Sequence, residues 1–459
     1  MTDDTTFDRE LRATLDTLAH EPAPERLVAR VSEIPSRELS ARRLDMRPGL
    51  TSRGIGSGFG LLAAGVAIVL VALIIRPGSG PTPVGGLPSA AVSTSRSPSI
   101  EPSSAPSASP SSQPGSTPSP TPALAAMPAG FEPISATFVS SQDGWVLGSV
   151  RCASGRCPAI GQTTDGGARW NPINAPQTTV GSDPVTFVGT GIATLRFANA
   201  NDGWAYGPEL WATHDGGTTW KVVTIGAIAA GSPVEALEAA RGMVHAVVYD
   251  GAQDFRIASS NVATDTWTVA SVKVPVGAGP VPRPQLVLSG TGGWVLENDR
   301  TVVAGARLVN GSWAAWQPVC LDVVGPAVLA ASSVSDLTAA CDVGTLGNPQ
   351  GDHLFTSTNG GDTFAEVGPA TPLDAAQVIA TPGRSTIVIG GGVAQGAVLV
   401  ASYDGGHSWQ SVLAPAAVTF ADLGFTTPTQ GIVVETGQGG TSRLLMTHDA
   451  GKTWTPVAF

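Results

Sequence analysis

The chain has 459 residues, enough for more than one domain, and carries a formal net charge of −11. That charge is unevenly spread: residues 1–53 hold 10 acids against 9 bases, whereas residues 131–459 hold 25 acids against 14 bases. An acidic C-terminal part without a basic stripe repels phosphate backbones and excludes nucleic acid as the expected partner.

At the N-terminus, Phe7, Leu11, Leu15 and Leu18 fall on one helical face, with Thr5 and Asp8 placed as a capping box. A second short helix over Leu27, Val31 and Ile34 follows the "EPAP" break. Two small helices bury little core, so residues 1–50 are expected to pack loosely, lie on a membrane or bind a cytoplasmic protein partner. Residues 55–75, "IGSGFGLLAAGVAIVLVALII", are uncharged and of membrane-spanning length. Residues 54–76 are therefore read as one transmembrane helix. Arg37, Arg42, Arg43, Arg47 and Arg53 before it, against Arg76 and Arg96 after it, place the N-terminus in the cytoplasm. Residues 77–130, as in "SPSIEPSSAPSASPSSQPGSTPSPTP", cannot offset their ordering entropy by burial and read as a disordered stalk.

Residues 131–459 carry an internal repeat. "TTDGGARW" (Asp165, Gly166, Gly167, Trp170), "THDGGTTW" (Asp215, Gly216, Gly217, Trp220), "STNGGDTF" (Asn359, Gly360, Gly361, Phe364), "SYDGGHSW" (Asp404, Gly405, Gly406, Trp409) and "THDAGKTW" (Asp449, Gly451, Trp454) are five clear copies. Degenerate copies end at Trp267 and Trp313, so the seven aromatic ends are spaced 50, 47, 46, 51, 45 and 45 residues apart. Upstream, a large apolar residue stands six positions before a glycine: Phe138 and Gly144, Phe197 and Gly203, Val287 and Gly293, Phe425 and Gly431. Trp145, Trp204 and Trp294 follow three of these glycines. Each repeat reads as strand, Gly turn, strand, variable loop, strand, DGG turn, strand. Four short strands per repeat and seven repeats give an all-β, seven-bladed β-propeller; six or eight blades are the alternatives.

The DGG turns resemble the Asp-box of bacterial neuraminidase repeats. Paired with the Phe and Gly-Trp element, they are most similar to the propellers of photosystem II assembly factor type, a resemblance covering the whole of residues 131–459. It implies a fold and no specific ligand. Within the box, Asp215 is expected to accept N–H groups of its own turn, Gly216 and Gly217 to take positive φ, Thr219 to add a hydroxyl bond and Trp220 to pack inside the blade. The order of cytoplasmic helices, one span and outer domain also resembles membrane-anchored anti-sigma factors, although their zinc-binding His and Cys residues are missing.

No catalytic or metal residues are assigned, and no cofactor is expected. A sialidase needs a Tyr and Glu nucleophilic pair with an arginine cluster; only Tyr206 near Glu209 approaches it, and no Arg-Ile-Pro element occurs. Another glycoside hydrolase would need two facing carboxylates. With strands lettered A to D from the ring centre, the Gly turns (A–B) and DGG turns (C–D) share one face. The other face carries the long, non-repeating B–C and D–A connections, where binding tends to reside. Cys152 and Cys157 flank a B–C tip, Cys320 lies in a D–A connection and Cys341 near the end of a B strand; pairs 152–157 and 320–341 are expected. The expected function is a non-catalytic protein- or glycan-binding module on the outside of a bacterial cell membrane. A transmembrane sensor and a glycoside hydrolase are the alternatives.

Overall fold

The computed structural model describes residues 126–153, 155–181, 190–251, 253–277, 284–298, 302–321, 327–343, 351–437 and 440–459. The expected cytoplasmic helices, the span at 54–76 and nearly all of the stalk lie outside these residues. Among the described residues no helix is long and apolar enough to cross a membrane.

The described chain forms seven four-stranded antiparallel sheets, each built from one continuous stretch of sequence. Blade 1 contains β1 (Glu132–Phe138), β2 (Gly144–Cys152), β3 (Gly155–Thr163) and β4 (Asn171–Ile173). Blade 2 contains β5 (Thr194–Phe197), β6 (Gly203–Tyr206), β7 (Leu210–Thr213) and β8 (Lys221–Val222). Blade 3 contains β9 (Val234–Ala240), β10 (Met243–Tyr249), β11 (Asp254–Asn261) and β12 (Thr268–Pro275). Blade 4 contains β13 (Gln285–Ser289), β14 (Gly292–Asn298), β15 (Val302–Val309) and β16 (Ser312–Trp316). Blade 5 contains β17 (Ala327–Ala331), β18 (Leu337–Asp342), β19 (Asp352–Ser357) and β20 (Ala365–Val367). Blade 6 contains β21 (Ala375–Gly383), β22 (Thr386–Val393), β23 (Gly396–Ser402) and β24 (Gln410–Ala416). Blade 7 contains β25 (Val418–Phe425), β26 (Gly431–Gly437), β27 (Ser442–Thr447) and β28 (Thr455–Pro456).

The first strands of successive blades neighbour one another around the ring, and β25 returns to β1, so these strands lie innermost. Apolar side chains on both faces of each sheet meet those of the next blade, giving one buried cluster per seam. Trp145, Trp204 and Trp294 are 0%, 0% and 1% exposed. Burying each contributes on the order of 4 kcal/mol. Trp145 stacks on Phe197 of the next blade at 4.0 Å.

The Gly-turn pattern has a steric cause. A Cβ at Gly203 would stand 2.6 Å from the Phe197 ring, and one at Gly144 2.5 Å from Phe138, because each pair is directly opposed in its hairpin. Blade 4 departs from the expected pairing of Val287 with Gly293. Its hairpin is shorter, Leu288 stands opposite Gly293, and Leu288 is the side chain that a Cβ there would meet, at 2.8 Å. The ring also begins earlier than residue 131: Met127 is 7% exposed and belongs to the seam between blades 7 and 1. No strand is shared across that seam. It closes by packing, with Phe459 against Phe131 at 4.8 Å and against Trp170 at 5.5 Å.

Candidate binding face

The Gly turns and DGG turns occupy the same face and bond to each other. The N–H of Gly166, Gly216, Gly360, Gly405 and Ala450 each donates at 2.9 Å to a carbonyl of the A–B turn in its own blade: Gln142, Asn201, Ser335, Ser385 and Thr429. The hydroxyl that opens each box was missed in the sequence reading, although it starts all five quoted strings. Thr163, Thr213, Ser357, Ser402 and Thr447, all 3% exposed or less, donate to the box Asp or Asn at 2.8–2.9 Å. Each also accepts the N–H of the second glycine. Thr219 adds the expected hydroxyl bond to Asp215 at 2.6 Å. That bond, with the Thr219 N–H, lowers the Asp215 carboxyl to about 2. Ser408 acts likewise on Asp404. For Asp449, desolvation pulls upward, and the bonds from Thr453 and Thr447 still hold it at about 2. The Trp220 ring meets Phe197 of its own blade edge-on, as expected, and its indole N–H reaches beyond the blade to donate to the Asn174 carbonyl at 2.9 Å. In five of the seven blades the turns of this face are tied to one another by these hydrogen bonds.

The opposite face carries the B–C and D–A connections. Strands β2 and β3 stay paired out to Cys152 and Gly155, whereas β1 follows β2 only to Ser149. The end of this hairpin therefore projects, tied by the Cys152–Cys157 disulfide, with Arg151 exposed. The second disulfide, Cys320–Cys341, reaches deeper than the first. Cys341 is fully buried in the seam between blades 4 and 5, so this bond ties a connection to the core.

Partly buried Glu235 and buried Asp352 stand at the mouths of two seams on this face. Burial, reinforced by Glu297, raises the Glu235 carboxyl to about 7. Burial also raises Asp352 to about 7; an N–H bond from Ala376 opposes this, and Asp342 and Asp374 add to it.

In the ring centre, four blades meet in one charged network. Arg196 of β5 bonds Asp422 of β25 at 3.0 Å and Glu238 of β9 at 2.8 Å. The second Asp422 oxygen accepts the Ser135 hydroxyl at 2.8 Å and the Ala136 N–H at 3.2 Å. Burial works against the Arg196 charge, and Asp422 and Glu238 outweigh it, so the guanidinium is held charged. No local sequence signal links these residues; the clue is a charged residue inside an innermost, otherwise apolar strand.

The pair weighed for sialidase chemistry is committed elsewhere. Tyr206 is buried, its hydroxyl donates to the Leu237 carbonyl and burial raises it strongly, while Glu209 accepts the Trp211 indole N–H at 2.8 Å.

These features define a seven-bladed β-propeller with sequence-contiguous blades. Among solved structures the chain is similar to YCF48 bound to D1 peptide, at 16% identity and TM-score 0.48 over 71% of this chain and 96% of that one. It is similar to YCF48 from Cyanidioschyzon merolae at 13% identity and TM-score 0.49, over 71% and 98%. It is also similar to the GH74 enzyme of Niastella koreensis at 15% identity and TM-score 0.44, over 72% and 59%. At such identities the likeness is one of fold. No family model and no curated protein matches the sequence.

Proposed function

We propose that this chain is a membrane-anchored propeller that stands outside a bacterial cell and binds a protein or glycan without catalysing a reaction, through the face of its B–C and D–A connections. The observation that carries the reading is the asymmetry of the two faces. One spends its turn groups on repeated internal bonds, whereas the other presents a projecting disulfide-tied hairpin and non-repeating connections. The DGG turns serve as structural locks, and the apolar run at residues 55–75 supplies the anchor.

Two experiments test this. Protease added to intact cells should cleave within residues 77–130 and release the propeller; full protection would refute the placement. The purified full-length protein should retain a ligand from a glycan or peptide panel without converting it. Arg151→Glu should weaken retention and Arg169→Glu, on the locked face, should not. Turnover of any panel member, or the reverse pattern of sensitivity, would refute the reading.

A further inference from the structure

We propose a calcium-binding site at the mouth of the seam between blades 5 and 6, built on Asp352 and Thr371 with the carboxylates of Asp342 and Asp374 beside them.

Strand pairing sets the geometry. Asp342 and Asp352 stand directly opposite each other at the ends of β18 and β19, which places their Cβ atoms about 5 Å apart on one face of the sheet. Ala340 and Leu354, two residues further into the same strands, belong to the buried cluster of the seam between blades 5 and 6. Side chains alternate along a strand, so both carboxylates point into that seam. From the blade 6 side, the D–A connection brings Thr371, Leu373 and Asp374. The Thr371 N–H donates to the Asp352 carbonyl at 2.8 Å, and Leu373 is part of the same buried cluster.

Two oxygens in this mouth are cut off from water without a hydrogen-bond partner: Oδ2 of Asp352, 1% exposed, and Oγ1 of Thr371, 5% exposed. An unpaired buried carboxylate oxygen is costly, and the Thr371 hydroxyl, whose residue is bonded to Asp352 through the backbone, is a second buried orphan. The backbone carbonyls of Thr371 and Leu373 also converge, each 3.3 Å from where a Cβ on Gly351 would stand. His353, the nearest base on the strand, alternates to the other face and is engaged with Glu366 at 2.5 Å.

The donors gathered here are carboxylate, hydroxyl and carbonyl oxygens. Calcium accepts six to eight such ligands in flexible geometry, whereas zinc prefers nitrogen and sulfur and magnesium demands a near-ideal octahedron. Among the described residues no three His, Cys, Asp or Glu side chains form a metal-holding group. In the proposed site Asp352 is the central carboxylate, and the Thr371 hydroxyl, the carbonyls and water supply the other ligands.

The test is a titration of the purified full-length protein with CaCl2, followed by calorimetry and by thermal unfolding. The expected result is saturable binding of about one ion per chain with a rise in Tm, and a smaller response to MgCl2. Asp352→Asn keeps the shape and removes the charge. It should weaken binding more than tenfold, since loss of even an outer-shell partner costs that much. Thr371→Val should weaken binding, and Glu366→Gln, on the outer face, should leave it unchanged. If Asp352→Asn does not fold, Thr371→Val measured by terbium luminescence decides. No saturable binding, equal binding to both ions, or binding unaffected by the Asp352 and Thr371 changes would overturn the proposal and leave those oxygens to buried water.

Discussion

Removing Asp422 should weaken the ring more than any single surface charge does. Its carboxylate joins blade 7 to blade 1 through Ser135 and Ala136 and to blade 2 through Arg196, across the seam where no strand is shared. The Asp422 and Arg196 side chains are only 17% and 18% exposed. Breaking a buried ion pair costs about 3–5 kcal/mol because the survivor is left uncompensated. Here Arg196 keeps Glu238 at 2.8 Å, so the expected loss for Asp422→Ala is about 2–3 kcal/mol. At about 2 °C per kcal/mol for a domain of this size, Tm should fall by about 4–6 °C. Asp422→Asn retains an acceptor for the Ser135 hydroxyl and the Ala136 N–H, and should lose about half as much. The control is Asp254→Ala, which breaks the pair with Lys273, whose side chain is 52% exposed; its cost should stay below about 1 kcal/mol. Urea and thermal unfolding of the parent and three variants measure all of these. A loss for Asp422→Ala no larger than that of the control would refute the idea that the central network holds the ring closed.

Three further outcomes follow from local geometry. Ala450 occupies, at φ +64, the turn position that glycine fills in the other four boxes. Ala450→Gly should therefore raise stability by about 0.5–1 kcal/mol, read from the urea midpoint. Gly203→Ala places a methyl 2.6 Å from a Phe197 ring already pinned against Trp145; it should cost about 1–3 kcal/mol, and Phe197→Leu in the same chain should recover part of the loss. His214 bridges Asp202 at 2.7 Å and Asp265 at 3.0 Å across blades 2 and 3. Partial burial alone would lower its pKa, but the bonds with Asp265 and Asp202 outweigh that and raise it. Its stabilisation is then complete below the unfolded value of about 6.5 and fades as pH rises through the higher folded value. His214→Gln should lower Tm at pH 6, and the difference from the parent should shrink towards pH 9.

The blade count was legible because each blade is a local unit: a strand hairpin closed by a glycine, then a hairpin closed by a box, repeated with its aromatic end. Even the degenerate copies at Trp267 and Trp313 kept the period, since both residues still sit where the outermost strand begins. The box chemistry around Asp215 was legible for the same reason, its partners lying within four residues. What escaped lies between blades. Ser135, Arg196, Glu238 and Asp422 come from four repeats, and Ser135 and Asp422 are 287 residues apart. Asp352, opposite Asp342, meets Thr371 only because the connection to blade 6 folds back on blade 5. Trp316 donates its indole N–H to the Gly361 carbonyl in the next blade. Short-range pattern determines blades; which charges meet at their seams depends on ring closure.

Because every sheet is drawn from one uninterrupted stretch and Phe459 returns to lie against Phe131, the order of blades along the gene is separable from their order in space. Joining residue 459 to residue 126 by a short linker and opening the chain at another D–A connection, such as that between β12 and β13, would cut no hydrogen-bonded sheet. Such circular permutants should fold to the same ring. They would let the point at which the N-terminal residues join the ring be moved from blade to blade without altering a single packed residue.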